Sequence, residues 1–424
     1  MRGETGVLRS NEYNANVALA YSIFWGAFLL YTTCYTLMIS GAAPDKITYL
    51  QLLAVLLMVG SSVFLIKPRI TNHYLGFFYI LYFGWALYTV YRGIEFNKDY
   101  LFSTFVDGSS GIFLYLCPLV LLFPNKPEYL KIVTRAIVVL AAIYALISLA
   151  FLPNMLDTTE TNGNTVLEYF SKNLILPAGF ILFTIPYQTK GNKVIRLLGN
   201  LAILAVLGAT ILLAIINARR GLLFMLLNTV FFAYIIYNAA YKSQLFPKVF
   251  PVYIFLLVVA YVFLISSDRN LGVIDRLSER ITEDTRGDVE QYFYLDLAPK
   301  EWIVGKGING TYYCPTGATE DGYRKLIETD FLQIILKGGI INLLLLLFIT
   351  VPAIIKGFFY SNNILSKSAA TWILLWLFAL YPATVTTFSF NYLLVWVCVG
   401  ICYSKEMRRM PETEMKERFQ YKLI

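Results

Sequence analysis

The chain has 424 residues, of which 58% are hydrophobic and only 15% are charged, and its mean hydropathy is +0.61. A soluble domain usually carries about a quarter charged residues, so this composition excludes a water-soluble globular protein. The formal net charge is +8, and the single histidine, His73, excludes both a His-rich metal site and a Ser-His-Asp triad.

Apolar runs long enough to cross a bilayer recur along the whole chain. A helix needs about 20 residues to cross roughly 30 Å of hydrocarbon, and lipid offers no hydrogen-bond partner to an open backbone. The runs lie near residues 16–40, 47–66, 73–92, 108–123, 130–152, 173–187, 194–217, 220–238, 249–267, 338–356, 369–387 and 390–403. They predict an all-α polytopic integral membrane protein with about 12 transmembrane helices. Residues 1–266 would hold helices 1–9 and residues 331–404 helices 10–12, with a hairpin turning at Phe388 to Asn391 as an alternative for the last two.

The basic residues predict which side each loop faces. Lys and Arg concentrate in alternate loops, and the positive-inside rule places those loops in the cytoplasm. Both termini are then cytoplasmic, including a basic tail at 405–424, and the long hydrophilic segment 267–330 is extracytoplasmic. Arg219 and Arg220 are an exception, because they fall together in a short turn on the outer side.

The outer segment 267–330 is too polar for the membrane and too long for a simple connector, which makes it a functional candidate. Its first part, 273–281, has the spacing of a helix that carries Arg276 and Arg280 on one face. Residues 288–295 also have a helical pattern. The segment holds more acids than bases, so we expect no nucleic-acid surface.

The second half of the outer segment leads into a membrane helix. A turn at Gly305-Lys306-Gly307 precedes a polar stretch with Tyr313 and Arg324. The turn lacks the preceding strand and the Lys-Ser/Thr pair of a phosphate-binding loop. Residues 327–339 then form an amphipathic run, and the pair Gly338-Gly339 predicts a break before the helix beyond.

Separate arginines suit the binding of a discrete anion, because a guanidinium donates two parallel hydrogen bonds to phosphate oxygens. Arg219 and Arg220 open a helix at Gly221, where free N–H groups and the helix dipole also favour an anion. For Arg276 and Arg280 the pattern favours helix-surface residues paired with Asp275, Glu279 or Glu283 over an anion site.

Two lysines of this region are expected to have no functional role. We expect Lys306 and Lys337 at the membrane interface, with the Lys337 side chain extending to the water boundary.

The spans, the outer segment and its arginines, taken in chain order, resemble those of the O-antigen polymerase and O-antigen ligase superfamily of bacterial envelope glycosyltransferases. The first shared feature is the span count, with one large outer loop between the ninth and tenth spans. The second is an Arg-Gly that opens the eighth span, here Ala218-Arg219-Arg220-Gly221. The others are a loop arginine, Arg286, before a Gly-x-Gly turn, and a polar pair before an aromatic-Leu-Gln run, here Glu328 to Gly338.

The resemblance implies a GT-C-like membrane fold and a transferase that takes a glycan from undecaprenyl pyrophosphate without metal or cofactor. Arg220 and Arg286 fall on the two family arginines that hold the pyrophosphate, and Arg219 is the neighbour of the first. Ligases typically have His where this chain has Glu328, and this difference favours a repeat-unit polymerase. The resemblance then implies synthesis of O-antigen (the polysaccharide of lipopolysaccharide), capsule or exopolysaccharide. It also implies a location in the bacterial inner membrane. A chain-length regulator and a flippase are the implied protein partners.

The chemistry of such a transfer assigns roles to the candidate residues. Negative charge develops on the departing pyrophosphate, which the arginines stabilise. Glu328 would act as base or orienter for the attacking sugar hydroxyl, with Asp330 as an alternate, and the anomeric carbon would invert. Further candidates are Arg276, Arg280, Arg324 and Tyr313.

Two other functions remain open at this stage. The first is an O-antigen ligase that transfers polysaccharide to lipid A–core. The second is a transporter of lipid-linked oligosaccharide, which would usually show internal repeats and no long outer segment.

Overall fold

The computed structural model describes residues 2–39, 47–67, 70–108, 111–150, 179–188, 193–216, 220–241, 285–315 and 322–420. Most of this part is helical, and apolar residues dominate its longer helices. The first half contains α1 (Arg2–Ile39), α2 (Ile47–Leu65), α3 (His73–Tyr91), α4 (Lys98–Val106), α5 (Ile112–Leu116) with a 3-10 helix at Cys117–Leu122, and α6 (Pro127–Ala150).

The second half alternates long apolar helices with shorter polar ones. It contains a 3-10 helix (Ile185–Tyr187), α7 (Lys193–Ile216), α8 (Arg220–Tyr241), α9 (Thr285–Asp296), α10 (Pro299–Val304), β1 (Tyr312–Tyr313), β2 (Tyr323–Arg324), α11 (Asp330–Phe359), α12 (Ile364–Ala379), α13 (Phe390–Tyr403), α14 (Lys405–Arg409) and α15 (Glu412–Phe419). The two strands form an antiparallel hairpin in which Tyr312 pairs with Arg324.

Within the described residues, four helices are long and apolar enough to cross a membrane. They are Ala15–Met38, Ile47–Leu65, Pro127–Ala150 and Asp330–Phe359. Large apolar side chains on α2 and α3 are exposed, for example Leu56, Phe64 and Ile80, as expected of helices that face lipid. The chain therefore has the features of an all-α membrane protein, while the count of 12 stays a prediction. The predicted span at 249–267 lies outside the described residues, as does the first part of that at 173–187.

Two predicted spans have different boundaries in the structure. The run at 108–123 is divided between α5 and a 3-10 helix, because Pro118 at the start of the 3-10 helix lacks the N–H that would continue the α-helical ladder. The run at 369–387 forms a helix only as far as Ala379. The chain then turns at 380–389, so the alternative turn predicted at Phe388 to Asn391 overlaps only the end of the observed one.

The core is centred on α13, which packs against α11 and α12. Nearly every residue of α13 is buried, which explains why its sequence is apolar on all faces. Aromatic contacts tie it to its neighbours, such as the stacked rings of Trp376 and Tyr392 with centroids 5.4 Å apart. The aromatic residues of this part thus hold helices together, in addition to any role at the lipid boundary.

Loops predicted on the same side of the membrane meet at the same end of the helix bundle. At one end, here called the loop end, Arg92 contacts Gly305 and the N–H of Phe388 donates to the carbonyl of Gly108 at 2.8 Å. At the opposite end the N–H of Asn362 donates to the carbonyl of Arg408, also at 2.8 Å. The structure groups the described loops as the positive-inside rule does, and which end faces the cytoplasm stays a prediction.

Candidate functional site

The segment 380–389, here called the α12–α13 loop, is held in place by the side chain of Asp330. This carboxylate is buried, and its Oδ2 accepts the backbone N–H of Val385 at 2.9 Å and of Thr386 at 2.6 Å. The backbone N–H of Asp330 donates to the carbonyl of Leu380 at 2.8 Å. Asp330, predicted as an alternate base, therefore lies where it orders this loop.

The start of α8 lies directly against the same loop. A β-carbon added at Gly221 would stand 2.3 Å from the carbonyl oxygen of Pro382. Only glycine allows this approach, and the first N–H groups of a helix have no partner within the helix. The Arg220-Gly221 pair thus brings a helix N-terminus to the α12–α13 loop. Arg219 and the side chain of Arg220 lie outside the described residues.

Helix α9 reaches the site from the outer segment. Its Glu290 accepts a hydrogen bond from the hydroxyl of Thr329, the residue between the two candidate acids. Arg286 lies one helical turn before Glu290 in this helix, and its side chain lies outside the described residues. The predicted helix at 288–295 is confirmed, whereas Arg276 and Arg280 lie outside the described residues.

The two predicted acids of this segment have different surroundings. Glu328 is exposed, and its carbonyl accepts from the hydroxyl of Thr384 on the α12–α13 loop at 3.5 Å. Asp330, two residues later, is fully buried beneath the loop. The Glu328 side chain thus lies at the surface beside the loop, whereas the Oδ2 of Asp330 accepts two N–H groups beneath it.

Tyr313 and Arg324 belong to the β-hairpin beside α9. Tyr313 is 46% exposed, and its ring meets the ring of Tyr323 edge to face at 5.7 Å. Arg324 lies against the buried Tyr312, whose pKa is raised to about 12 by burial. Tyr312 is therefore a neutral hydroxyl at neutral pH. The rings of Phe293 and Tyr312, 5.6 Å apart, fasten the hairpin to α9.

A small cavity lies between α3, α11, α13 and the α12–α13 loop, and Lys337 forms part of its wall. Its volume is about 40 Å³. The polar residues around it include Tyr82, Gln333, Asn342, Thr384, Thr386 and Tyr392.

Lys337 is only 6% exposed, and its Nζ donates to the carbonyl of Gly310 at 2.7 Å. The prediction that its side chain extends to the water boundary is therefore wrong. The sequence did contain a signal for this wall, because Gln333, Lys337 and Asn342 interrupt an apolar run at near-helical spacing.

Gly339 breaks α11 beside this cavity, as the Gly338-Gly339 pair predicts. Its φ is +72° and its ψ is 178°, outside the helical region. The carbonyls left by the break accept hydrogen bonds from the Gly305–Gly307 turn: Lys306 N–H donates to Leu336 at 2.7 Å and Gly307 N–H to Lys337 at 2.9 Å. The N–H groups of that turn are thus used within the protein.

Two basic side chains hold this junction together. Arg92 donates to the carbonyl of Gly305 at 2.8 Å and to that of Val304, and its guanidinium lies 4.9 Å from the centre of the Tyr88 ring. Lys306 forms an ion pair with Asp296 at 2.6 Å, so it joins α9 to the turn instead of lying at a lipid interface as predicted.

No family model, curated protein or solved structure matches this chain. The functional assignment therefore rests on its residues and their arrangement.

Proposed function

We propose that this protein is a polymerase of lipid-linked oligosaccharide repeat units. It transfers a glycan from undecaprenyl pyrophosphate to an acceptor repeat unit at the outer face of the membrane. The observation that carries the proposal is the meeting of three distant segments around the α12–α13 loop: the Arg220-Gly221 start of α8, the helix that contains Arg286, and the Glu328–Asp330 segment.

This arrangement suits a reaction with a pyrophosphate leaving group. The N-terminal end of α8 carries partial positive charge and N–H groups that have no partner within the helix, both of which favour phosphate. Arg220 and Arg286 add charge-assisted donors, and one such donor contributes about 3 kcal/mol to a transition state with developing negative charge. Because the arginines neutralise the phosphates, the proposed transfer uses neither metal nor cofactor.

Glu328 is the base or orienter in this proposal. It is exposed beside the α12–α13 loop, where an acceptor hydroxyl approaches from water, whereas Asp330 is engaged in ordering that loop. A single carboxylate that activates the acceptor leads to inversion at the anomeric carbon. Arg219, Arg276, Arg280, Arg324 and Tyr313 remain proposed contacts to the pyrophosphate or the glycan.

The position of His73 separates this proposal from a ligase that uses histidine. His73, the single histidine of the chain, begins α3 at the end of the bundle away from the site. The other end of α3 is the one that reaches Gly305 through Arg92. A 19-residue helix places its two ends about 27 Å apart, too far for His73 to contact the acceptor.

The proposed location is the bacterial inner membrane, with both termini in the cytoplasm. The grouping of basic loops at the end opposite the site supports this orientation, and the site then faces the side to which lipid-linked repeat units are delivered. The proposed partners are undecaprenyl pyrophosphate-linked glycans and membrane lipid, together with a chain-length regulator and a flippase.

Reconstitution with an undecaprenyl pyrophosphate-linked repeat unit tests the proposal. We expect a ladder of polymer from the wild type, and a loss of rate of about 10²–10³ in Arg220→Gln and in Arg286→Gln. Arg409→Gln, at the opposite end of the bundle, is the matched control and should keep the wild-type rate.

Two results would overturn the polymerase, and a third would overturn its pyrophosphate site. Transfer only after addition of lipid A–core would make the protein a ligase. Movement of the lipid-linked unit across the bilayer without transfer would make it a transporter. A ladder unaffected by either arginine variant would remove the pyrophosphate role of these residues.

A further inference from the structure

Lys337 is a buried cation whose charge no acid balances at close range in the described part of the chain. Other cations of the described part do have acids beside them, since Lys306 pairs with Asp296 and Glu301, and Arg418 with Glu414. Two more distant charges act on the Lys337 ammonium: Lys325 repels it and Asp107 attracts it. Burial of an ammonium without a counter-ion is costly, so an anion bound beside Lys337 would lower that cost.

The ammonium of Lys337 also has donors to spare. It carries three N–H groups, and one of them donates to the carbonyl of Gly310 at 2.7 Å. Within the described residues no second acceptor binds it. The other two N–H groups need oxygen atoms from water or from a ligand.

The remaining polar groups around the cavity are uncharged and able to bind oxygen-rich ligands. The Asn342 side-chain oxygen is buried without a partner among the described residues, and rotation of the amide presents either its donor or its acceptor. The hydroxyls of Tyr82 and Tyr392 are hydrogen-bonded to each other at 2.9 Å, which leaves one of their two protons free to donate. Further uncharged polar side chains line the cavity, namely Tyr115, Gln333, Thr384 and Thr386.

Size and charge select among anionic groups. A cavity of about 40 Å³ has room for about three groups the size of a water molecule. A carboxylate has three heavy atoms and a single negative charge, which one lysine neutralises. A phosphate is larger and carries up to two charges, so it would leave net negative charge buried. The N-terminal end of α8, which lies against Pro382, is the better place for the pyrophosphate.

We propose that the Lys337 cavity is a subsite for the carboxylate of an acidic sugar, of the uronic-acid class, in the glycan substrate. The sugar ring would lie at the mouth of the cavity beside Thr384, with its carboxylate on Lys337 Nζ. The inference rests on the proposed function, because it takes the ligand to be part of the transferred glycan.

Direct binding to the full-length protein in lipid nanodiscs tests this subsite. The probes are sodium glucuronate, glucose and sodium phosphate, and the variants are Lys337→Met and, as a matched control, the exposed Lys300→Met in α10. We expect glucuronate to bind the wild type and glucose not to bind. Lys337→Met should weaken glucuronate binding about ten-fold or more, while Lys300→Met stays within about two-fold of wild type.

Several outcomes would overturn the subsite. They are failure of glucuronate to bind the wild type, equal affinity in Lys337→Met, or displacement of glucuronate by phosphate at lower concentration. The comparison of the three probes on the wild type alone decides the ligand class even if a variant does not fold.

The binding assay requires no transfer reaction, so the two proposals fail separately. Lys337-dependent binding of glucuronate without a polymer ladder would keep the subsite and remove the polymerase. A polymer ladder without glucuronate binding would keep the polymerase and remove the subsite.

Discussion

Gly221 and Pro382 approach so closely that a β-carbon on Gly221 would stand 2.3 Å from the carbonyl oxygen of Pro382. The two residues are far apart in the sequence, and their contact joins the first turn of α8 to the α12–α13 loop. Under the proposed function, the Arg-Gly pair at 220–221 combines two requirements, a cation for the substrate and a glycine for the approach of two backbones.

Substitution of Gly221 by alanine should separate α8 from the loop. The added methyl group meets backbone that cannot rotate away, so we expect the free energy of unfolding to fall by about 1–3 kcal/mol and polymer formation to be lost. Thermal unfolding and the polymer ladder measure the two effects. Gly208→Ala in α7, where a β-carbon meets nothing within 4 Å, is the control and should change neither.

Asp330 and Glu328 should separate into a structural and a chemical role. Asp330→Ala leaves the N–H groups of Val385 and Thr386 without their acceptor, at a cost of about 1–3 kcal/mol for each buried group. Glu328→Gln should change stability by less than about 0.5 kcal/mol, because the side chain is exposed, yet abolish transfer. Denaturant unfolding measures the stability of the two variants and the ladder assay measures their transfer activity. Full activity of Glu328→Gln would contradict this division of roles.

Arg92 should stabilise the junction between α3 and the outer segment. Arg92→Met removes a cation from carbonyls at the ends of α10 and of the first half of α11, and we expect a loss of about 1.5–3 kcal/mol. Amide hydrogen exchange at Gly305–Gly307 should accelerate in this variant. The exposed Lys98→Met in α4 serves as control, and equal exchange in both variants would argue against the role.

Gly339 should tolerate no side chain. Its φ of +72° disfavours any other residue, and a β-carbon would stand 2.1 Å from the carbonyl oxygen of Ile303. Gly339→Ala should therefore destabilise the protein by about 3 kcal/mol or more. Gly84→Ala in α3, which meets nothing within 4 Å, should not, and similar melting temperatures for the two variants would refute the prediction.

Local pattern in the sequence was enough for the class of protein and for several of its elements. Length and apolarity of a run decide whether a helix suits lipid, and both are properties of consecutive residues. The helix at 285–296 and the break at Gly339 follow from equally local signals, namely helical spacing and a glycine pair. The grouping of loops by their basic residues also agrees with the two ends of the bundle.

Tertiary structure alone decided what the individual polar side chains do. The ammonium of Lys337 meets a carbonyl 27 positions earlier in the chain, and the carboxylate of Asp330 holds a loop 56 positions later. Nothing in the sequence around either residue reveals such a partner. A charged residue next to an apolar run has the same local pattern whether its side chain reaches water or is buried by distant segments. Its role therefore became clear only once α10, α11 and the α12–α13 loop were seen to pack together.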